Sequence, residues 1–473
     1  MHDLARDIPV CVDLDGTLIR SDLLVEAGLV LLRGNPLYAF ALPFWLLGGK
    51  ARLKREIARR IELPVAELPY DERLVTWLRE DCAGRERVLC TASDEGLAGP
   101  VAAHLGLFDA VLASDGERNL AGAAKAAALV ERYGERGFDY AGDEPRDLTV
   151  WRHARRAIVA NGPAGLAARV AAIAEVEHEF AREAGGAAAW LRALRLHQWL
   201  KNLLVFLPLL AAHRVFDLPA LLDAGLAFLA FGLCASGVYV LNDLFDLAAD
   251  RRHPRKRLRP FAAGTLRLAH GLAIVPLLTL AAFALALGIA PMFAASLLGY
   301  YLLTLAYSLW LKRVEMLDVG ALAVLYTLRI VAGGFATATP ISFWMLAFSM
   351  FLFLSLALLK RYTELRGTPD GAARNGRGYT AADMPLLLAL GSTAGYLAVL
   401  VLALYINSTA SEALYRQPRL LWALCPILLF WTSRAWLLAH RGCMHDDPVV
   451  FAITDLPSLG LLVLAAGIVA GAV

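Results

Sequence analysis

Long apolar segments fill the second part of the chain and constrain its fold more than any other feature. Nine of them follow one another between Leu196 and Val473, each roughly the length that crosses a bilayer as one helix, about 20 residues. The mean hydropathy is +0.54 and 58% of the residues are hydrophobic, which excludes a wholly water-soluble protein. The sequence predicts a soluble amino-terminal domain followed by an all-α polytopic membrane bundle. The predicted spans are 198–213, 219–241, 269–288, 291–311, 317–338, 341–359, 385–406, 419–439 and 450–472.

Basic residues are unevenly distributed among the connections between these segments. If the amino-terminal domain is cytoplasmic, the connections on its side carry fifteen Lys and Arg residues and the opposite connections carry three. This asymmetry obeys the positive-inside rule and predicts a multi-pass protein of the cytoplasmic (inner) membrane with its amino terminus inside. The amino end leads directly into a strand pattern, so no cleavable signal peptide is expected. The net charge of +3 gives no support to a nucleic-acid partner, and six cysteines without a CxxC pair suggest neither disulfides nor a zinc site.

An acidic run lies at the end of the second apolar segment. Residues 242–250 read NDLFDLAAD and are followed by the basic string RRHPRKRLRP. On a helix, Asp243, Asp246 and Asp250 would fall at i, i+3 and i+7, so their carboxylates would face one way. Such carboxylates repel one another unless a cation lies between them, and oxygen ligands favour Mg²⁺ completed by substrate phosphates. The neighbouring arginines and lysine would hold the other phosphate oxygens. This pattern predicts a magnesium-diphosphate site at a membrane surface.

The acidic run resembles a known family. The pattern NDxxDxxxD resembles the first aspartate-rich motif of the UbiA superfamily of membrane prenyltransferases. The longer string NDLFDLAADRRHPRKRLRPFAAG is similar to its polyprenyl-phosphate phosphoribosyltransferase branch. So are LHQWLKNLLVF (196–206), YSLWLKRVEMLD (307–318) and LKRYTELR (359–366), and the likeness covers 190–473. It implies transfer of 5-phosphoribose from phosphoribosyl pyrophosphate to polyprenyl phosphate, whose phosphate oxygen attacks C1 of the sugar.

The same resemblance implies roles for individual residues. Asn242, Asp243 and Asp246 bind Mg²⁺–pyrophosphate, with Asp243 and Asp246 central to catalysis, and Asp250 contributes through water or a cation. The implied phosphate- and substrate-binding residues are Lys201, Asn202, Lys256, Arg259, Lys312, Lys360, Arg361 and Tyr362, with Glu364 completing the pocket. The lysines of this set that lie at helix ends have an alternative interpretation, in which they only extend to the membrane interface.

One departure from the wider superfamily concerns its second acidic motif. The corresponding loop, 360–379, is basic, with Glu364 and Asp370 as isolated acids. One acidic cluster among several basic loops favours two phosphorylated substrates over a neutral acceptor. The run His445-Asp446-Asp447 stays open between a second acidic cluster and a solvated loop. Two alternatives to the transferase above are a prenyltransferase acting from a prenyl diphosphate on a small acceptor, and a transporter or scaffold with a phosphatase-like domain.

A second pair of carboxylates stands near the amino terminus. Residues 9–13 (PVCVD) read as a short buried strand that runs into Asp13 and Asp15. A strand would project these two the same way, and such a pair can act as nucleophile and general acid/base. Further polar residues follow in order: Thr91 in the strand pattern 88–94, Lys125 at a helix start, and Asp143 and Asp147 after a third strand pattern within 138–148.

This ordered set resembles the four motifs of haloacid dehalogenase-like (HAD) phosphatases over about residues 7–162. The resemblance implies that Asp13 becomes an aspartyl phosphate, that Asp15 is the acid/base, and that Asp143 and Asp147 bind Mg²⁺ with Asp13. Thr91 and Lys125 would hold the phosphate.

Strands alternating with helices predict a doubly wound parallel α/β sheet with ligands at the carboxyl ends of its strands. Residues 17–89 leave room for a small helical cap. Within it, the apolar segment 37–47 is too short to span a bilayer, and either lies in the core of the cap or dips into the membrane interface.

The sequence thus predicts a phosphatase domain at 1–162, a helical linker with an interfacial helix at 163–195, and a transferase domain at 196–473. One Mg²⁺ is expected in each domain, with polyprenyl phosphate, phosphoribosyl pyrophosphate and membrane lipid as partners. A homo-oligomer stays open. The leading hypothesis is a bifunctional enzyme whose phosphatase domain removes the 5-phosphate of the lipid-linked product. That choice of substrate rests on the fusion of the two domains.

Overall fold

The computed structural model describes residues 8–182, 185–367, 378–444 and 448–473. The chain divides into two compact units. The first is Met1–Leu194 together with Tyr239–Val275, and the second is Arg195–Val238 together with Pro276–Val473. The acidic run and the basic string, which the sequence placed with the membrane domain, therefore pack as part of the first unit.

A six-stranded parallel sheet forms the centre of the first unit, in the order β3-β2-β1-β4-β5-β6. All three residues of the central strand β1 are buried, and they alternate between two apolar cores. Val10 and Val12 belong to one core and Cys11 to the other, as the two-residue period of a strand requires. The predicted parallel sheet with packed helices is confirmed. The strands are β1 Val10–Val12, β2 Arg87–Asp94, β3 Ala110–Ser114, β4 Asp139–Gly142, β5 Arg156–Ala160 and β6 Glu175–Phe180.

Helices connect these strands. They are α1 Leu23–Gly34, α2 Tyr38–Leu47, α3 Lys50–Ala58, α4 Glu72–Glu80, α5 Glu95–Leu105, α6 Ala123–Tyr133, α7 Leu148–Trp151, α8 Leu166–Ala171 and α9 Ala187–Leu194, with 3₁₀ turns at Val65–Glu67 and Pro145–Asp147. Four of them lie between the first two strands, where the sequence left room for a cap. The apolar segment 37–47 forms α2, which contains no buried residue, so it is not the core of the cap.

The described residues of the helical linker predicted at 163–195 are only partly helical. Helix α8 occupies only part of it, and Glu175–Phe180 forms β6, which pairs with β5. Trp77 packs edge-on against His178 and Phe180 on one side of the strand, whereas Val176, which precedes a register shift in the pairing with β5, packs on the other core. The sheet therefore continues beyond the predicted boundary at residue 162.

The membrane helices number fewer than predicted. Among the described residues, seven helices are long and apolar enough to cross a bilayer, not nine. The first predicted segment, 198–213, is divided between a 3₁₀ helix and a short α-helix that begins just before Pro208, which has no N–H to continue the preceding hydrogen bonds. The last, 450–472, is interrupted at Asp455, whose carboxylate caps the final helix.

The remaining elements follow in chain order. The helices are α10 Leu207–Ala211, α11 Leu218–Phe245, α12 Leu247–Arg252, α13 Leu268–Ile289, α14 Pro291–Leu309, α15 Leu317–Ala336, α16 Phe343–Arg366, α17 Met384–Ile406, α18 Thr409–Leu414, α19 Leu424–His440, α20 Pro448–Thr454 and α21 Leu456–Ala472. The 3₁₀ segments are Leu196–Phe206, Lys256–Leu258, Leu311–Arg313, Ala381–Asp383 and Pro418–Ala423. The seven candidate spans are α11, α13, α14, α15, α16, α17 and α19, the last two with their adjoining 3₁₀ turns.

The connection between α11 and α13 packs on the sheet domain within the first unit. Leu29 of α1 and Ala193 of α9 share an apolar cluster with Leu244, Phe261 and Leu268 of this connection and its flanking helices. The two ends of these candidate spans are thereby attached to the amino-terminal domain by buried apolar contacts.

Candidate active sites

Three aspartates meet at the carboxyl edge of the sheet. Asp13 follows β1, Asp143 follows β4, and Asp147 closes the 3₁₀ turn after β4. One carboxylate oxygen from each lies within 4.8 Å of the others, and no further group of three or more Asp, Glu, His or Cys is this tight in the described part of the chain. Neighbouring parallel strands end at the same edge, which brings residues 130 positions apart together. These are the three ligands that the sequence predicted for Mg²⁺ in this domain.

The charges around this cluster favour a cation. Burial, with the nearby charge of Asp13, raises the pKa of Asp143 well above its usual range and that of Asp147 to about 6. Lys125 is buried at the start of α6, and its Nζ lies 2.8 Å from Asp13 Oδ1. The single lysine leaves the three carboxylates with a net negative charge, and oxygen-only donors of this kind suit Mg²⁺. The residues present therefore fit the predicted ion.

Tyr140 joins two of these residues and was missed by the sequence analysis. Its hydroxyl donates to Asp147 Oδ1 at 3.0 Å and accepts from Lys125 Nζ at 3.0 Å. The residue lies on β4, one strand away from Asp13, and its ring packs edge-on against Trp151. Tyrosine in a strand is so common that only the three-dimensional contacts distinguish it from an ordinary core residue.

Both carboxylate oxygens of Asp15 accept hydrogen bonds. Its Oδ1 accepts from the backbone N–H of Leu23 at 2.6 Å, and its Oδ2 accepts from the hydroxyl of Ser93 at 2.6 Å. Burial, together with the charges of Asp22 and Asp13, raises the pKa of Asp15 to about 7. A carboxyl group with that pKa can give and take a proton at neutral pH.

Thr91 lies on β2, two residues before Ser93. The residue is fully buried, and its hydroxyl oxygen accepts from the N–H of Ser93 at 3.0 Å. Five of the six polar residues that the sequence assigned to this site thus belong to strand ends or the turns after them, and the sixth, Lys125, reaches in from a helix. Ser93 was missed, although it stands in the predicted strand pattern 88–94.

The acidic run follows an interrupted helical path. Helix α11 ends at Phe245 and α12 begins after Asp246, yet the N–H groups of Asp246 and Asp250 still bond the carbonyls four residues earlier. Asp243 and Asp250 are consequently both buried on one side, as the i, i+7 spacing predicted. Asp246 is more exposed and pairs with Arg33 at 3.2 Å.

Arg259 occupies the position between the two buried carboxylates. Its Nη1 lies 3.1 Å from Asp243 Oδ1 and 2.6 Å from Asp250 Oδ2. Burial raises the pKa of Asp250, and the charge of Arg259 opposes that rise. A cation does lie among these acids, but it is the guanidinium that the sequence assigned to phosphate oxygens. With the side chains of Asn242 and Asp246, the run still offers an oxygen-only donor set that suits Mg²⁺.

Two buried polar networks occupy the second unit. Asn202, in the 3₁₀ segment before α10, accepts from Arg329 Nε at 3.0 Å, and Arg329 also donates to the hydroxyl of Tyr300 at 3.0 Å. The neighbouring Lys201 is buried as well. Arg329 stands in the middle of α15, and a basic residue inside a membrane segment is a signal of function that the sequence analysis overlooked.

The other network surrounds Arg361 in α16. The guanidinium pairs with the buried Asp318 and with Glu364, and donates to the hydroxyl of Tyr307 at 2.7 Å. Asp318, quoted only as the end of a similar stretch, is the missed residue here, and Tyr379 donates to it at 2.6 Å. The remaining predicted residues of this unit are Lys312 in the turn before α15, Lys360 in α16, and Tyr362, whose hydroxyl lies 2.8 Å from His440 Nδ1.

Some residues that the sequence predicted for these sites are not among the contacts given above. Lys256 is exposed in its 3₁₀ turn. Asp370 and the run His445-Asp446-Asp447 lie outside the described residues. The structure assembles the acidic run in the first unit and the Asn202–Arg329 and Asp318–Arg361 networks in the second.

Comparison with known proteins identifies the membrane part of the chain. Residues 203–453 match the UbiA prenyltransferase family. An uncharacterized protein of Sinorhizobium fredii is 37% identical over 98% of this chain and 91% of its own length. The decaprenyl-phosphate phosphoribosyltransferase of Mycobacterium tuberculosis is 36% identical over 213 residues, 43% of this chain and 70% of its own length. A solved UbiA homologue from Archaeoglobus fulgidus bound to DMAPP and Mg²⁺ covers 59% of this chain and 99% of its own, at 16% identity and a TM-score of 0.47. With seven candidate spans and a family match over more than half its length, this multi-span membrane protein belongs to the UbiA prenyltransferase family.

Proposed function

We propose that this protein is a bifunctional enzyme of the cytoplasmic membrane. Its membrane part transfers 5-phosphoribose from phosphoribosyl pyrophosphate to polyprenyl phosphate. Its amino-terminal domain, a phosphatase of the HAD kind, then removes the 5-phosphate from the lipid-linked product. The 36% identity to a decaprenyl-phosphate phosphoribosyltransferase over 213 residues carries the first activity, and the Asp13–Asp143–Asp147 cluster with Lys125 carries the second.

In the transfer reaction, an oxygen of the lipid phosphate attacks C1 of the ribose. The bond from C1 to the pyrophosphate oxygen breaks, and pyrophosphate leaves with the electron pair. The lipid phosphate is already anionic, so no general base is required, and catalysis rests on orientation and on neutralising the leaving group. Asn242, Asp243, Asp246 and Asp250 would hold a Mg²⁺ ion, which would supply part of that neutralising charge. Arg259 leaves its aspartate partners for phosphate oxygens when substrate binds.

In the phosphatase reaction, a carboxylate oxygen of Asp13 attacks the phosphorus atom and forms an aspartyl phosphate. Asp15 donates its proton to the departing sugar oxygen, which is possible at neutral pH because its pKa is about 7. The same carboxylate then takes a proton from the water that hydrolyses the aspartyl phosphate. Lys125 and Thr91 hold the phosphate oxygens. Asp13, Asp143 and Asp147 would hold a Mg²⁺ ion, which would lower the repulsion between the phosphate and these acids.

Both reactions are proposed to occur on the cytoplasmic side. The excess of Lys and Arg on the connections that face the amino-terminal domain supports this orientation. The acidic run lies in the same compact unit as the proposed phosphatase site, which supports placing both sets of carboxylates on one side of the membrane. The lipid product would not have to cross the bilayer between the two steps.

Purified protein in lipid nanodiscs tests both activities with phosphoribosyl pyrophosphate labelled in the ribose. Wild type should convert polyprenyl phosphate to a labelled lipid without the 5-phosphate, and Asp13→Asn should accumulate the lipid that retains it. Asp243→Asn should form neither product, whereas Asp223→Asn, at the other end of α11, is the matched control and should behave like wild type.

Other outcomes would refute parts of the scheme. Turnover by Asp243→Asn at the wild-type rate excludes the acidic run from the reaction. A normal product distribution in Asp13→Asn excludes sequential dephosphorylation by this domain. Transfer of label from a prenyl diphosphate to a small acceptor, with none from labelled phosphoribosyl pyrophosphate, would establish the prenyltransferase alternative instead.

A further inference from the structure

The cavity beside Asp15 and Asp143 has a wall from an unexpected part of the chain. Its volume is about 280 Å³, and one side is formed by residues 264–269, which connect α12 to α13. These residues and the phosphatase site belong to the same compact unit. A segment between two candidate spans therefore completes a pocket of the amino-terminal domain.

This wall is held closely against the sheet domain. Gly264 has a φ of +72°, and a Cβ at this position would stand 2.5 Å from the carbonyl oxygen of Arg20, so the approach requires glycine. Leu266 and Leu268 are buried in the cluster that contains Leu29 of α1. Arg267 stands between these two anchored leucines, so its backbone position is well determined while its exposed side chain lines the cavity.

The cavity is lined by four arginines and by four acids, Asp15, Asp22, Asp143 and Glu144, so the pairing of each arginine decides where an anion can bind. Of the four arginines that line it, Arg20 pairs with Asp71 and Arg146 pairs with Glu144. Arg182 and Arg267 form no ion pair with a carboxylate among the described residues. Both of these arginines line the cavity, and burial followed by the positive charge of Arg267 lowers the pKa of Arg182 while the charge of Asp143 opposes that fall. Two adjacent cations facing a cavity create a site for an anion.

We infer that Arg267 and Arg182 bind a second anionic group of the phosphatase substrate. This inference rests on the proposed phosphatase activity and specifies its substrate class, a phosphate monoester on a sugar that also carries a phosphodiester. The monoester lies at Asp13, and the diester lies between the two arginines. The cavity volume suits a sugar with its phosphates, whereas a polyprenyl chain would have to remain outside it. From the sequence, Arg267 was only one of the fifteen basic residues counted toward membrane topology.

Steady-state kinetics with two substrates test this assignment. Arg267→Gln and Arg182→Gln should each raise KM for the lipid-linked 5-phosphoribose roughly tenfold or more, the loss expected for one charge-assisted hydrogen bond. For p-nitrophenyl phosphate, which has no second anion, KM should stay within about twofold of wild type, as should kcat for both substrates. Arg267→Lys should recover part of the affinity because the positive charge remains. Arg152→Gln, an exposed arginine that does not line the cavity, is the matched control.

The outcomes distinguish failure of the second-anion site from failure of the proposed phosphatase. Equal changes of KM for both substrates, or no change for either, refute the second-anion site while the phosphatase stands. Absence of any Asp13-dependent hydrolysis of either substrate by wild type refutes the phosphatase and this inference together.

Helix α2 has an exposed apolar face. Its four most exposed apolar side chains, counting the N-cap residue Leu37, fall at i, i+3, i+7 and i+10 and therefore share one face, whereas Leu46, 50% exposed, lies off this face. The opposite face packs Tyr38, Leu42 and Trp45 partly against the sheet domain's core. The side chains on the exposed face are Leu37, Phe40, Phe44 and Leu47, each between 69% and 85% accessible.

The surroundings of α2 indicate what covers this face. Helix α1, which precedes it, packs Leu29 on the end of candidate span α11 and donates from Arg33 to the carbonyl of Phe245 at 2.8 Å. Helix α3, which follows, carries the exposed cations Lys50 and Arg52 in its first turn, which anionic headgroups would attract, whereas Lys54 and Arg55 contact Ala92 and Asp94 within the domain. We propose that α2 inserts its exposed face into the headgroup region of the bilayer, independently of either enzymatic activity.

Fluorescence in nanodiscs tests this contact. In full-length protein with the exposed Cys443 replaced by serine, Phe44→Cys carries an environment-sensitive fluorophore, and Glu80→Cys on α4 is the exposed control. The label at residue 44 should emit at shorter wavelength and be quenched by lipids spin-labelled near the headgroup, and the label at residue 80 should not. Equal quenching at both positions, or none at residue 44, refutes insertion. Emission at residue 44 that depends on protein density instead of lipid quencher assigns the face to a second copy of the chain.

Discussion

Removing the negative charge of Glu26 should open the connection that carries the acidic run. Arg251, just after Asp250, makes a two-bond ion pair with Glu26 of α1, at 2.6 and 3.1 Å. The two side chains are only 9% and 5% exposed. Replacing one member of so buried a pair leaves an uncompensated charge, which costs about 3–5 kcal/mol. Glu26→Gln keeps the shape of the side chain and its bond from Ser21 Oγ, so the charge is the main change.

Amide hydrogen exchange of the connection after α11 measures this free-energy cost. If residues 247–263 open locally, about 3 kcal/mol corresponds to exchange on the order of 100-fold faster in Glu26→Gln than in wild type. Arg252→Gln is the matched control, because Arg252 is 66% exposed and its pair with Glu67 is 3.5 Å long. An exposed pair contributes about 1 kcal/mol or less, which limits acceleration to roughly fivefold. The double variant Glu26→Gln with Arg251→Met should recover part of the protection, since no unpaired charge remains.

Comparable acceleration in Glu26→Gln and Arg252→Gln would refute the reasoning, because burial would then make no difference to the value of the pair. Unchanged exchange in Glu26→Gln would show that apolar contacts of Phe261 and Leu268 alone hold the connection. If the proposed transfer site is correct, the same variant should also slow ribosyl transfer, although residue 26 lies far from the acidic run in sequence. Its phosphatase activity on p-nitrophenyl phosphate should change less.

Three further predictions follow from individual contacts. Asp143→Asn should raise the Mg²⁺ concentration for half-maximal phosphatase activity at least about tenfold while leaving that of ribosyl transfer unchanged, and equal shifts in both would contradict two separate metal sites. Burial alone would raise the pKa of Asp71, but bonds from Arg73 and Asn161 lower it below its usual range, so its contribution to stability is complete above about pH 4 and is lost in more acidic solution. The difference in melting temperature between wild type and Asp71→Asn should therefore be full at pH 7 and shrink below about pH 4, and a constant difference would contradict it. Asp318→Asn should destabilise the detergent-solubilised protein by about 3–5 kcal/mol, measured by thermal unfolding, because Arg361 loses its buried partner, and a wild-type melting temperature would contradict this.

The site residues of the amino-terminal domain were predictable because they belong to strand ends. Asp13, Thr91 and Asp143 each stand at or just after a short β-rich pattern, and parallel strands bring such positions to one edge. Tyr140 was not predictable, since its role depends on a hydroxyl that reaches Lys125 and Asp147 through tertiary packing. Strand β6 was missed because its glutamates make a pattern that suits an exposed helix equally well, and its pairing with β5 decided the outcome.

In the membrane part, too, some features were predictable from the sequence and others were not. Composition and length alone indicated most of its spans, because the bilayer demands a continuous apolar helix. The pairing of Asp318 with Arg361 and of Asn202 with Arg329 depends on which helices pack together, and one sequence contains no record of that choice. Intramembrane charge alone could have singled out Arg329.

The connection between α11 and α13 contributes residues to both candidate sites. Its first part carries Asp243 and Asp250, bridged by Arg259, and its last part places Arg267 in the cavity beside Asp15. Both parts are anchored in the same compact unit by Phe261 and its neighbours. A substrate anion that attracts Arg259 away from the aspartates would release a side chain within the segment that also forms the wall of the second pocket. Arg259→Gln should then raise KM at the phosphatase cavity for the lipid-linked phosphosugar if the segment moves as one body. If the two ends move independently, it should affect only ribosyl transfer, and parallel assays of the two reactions on this one variant distinguish these cases.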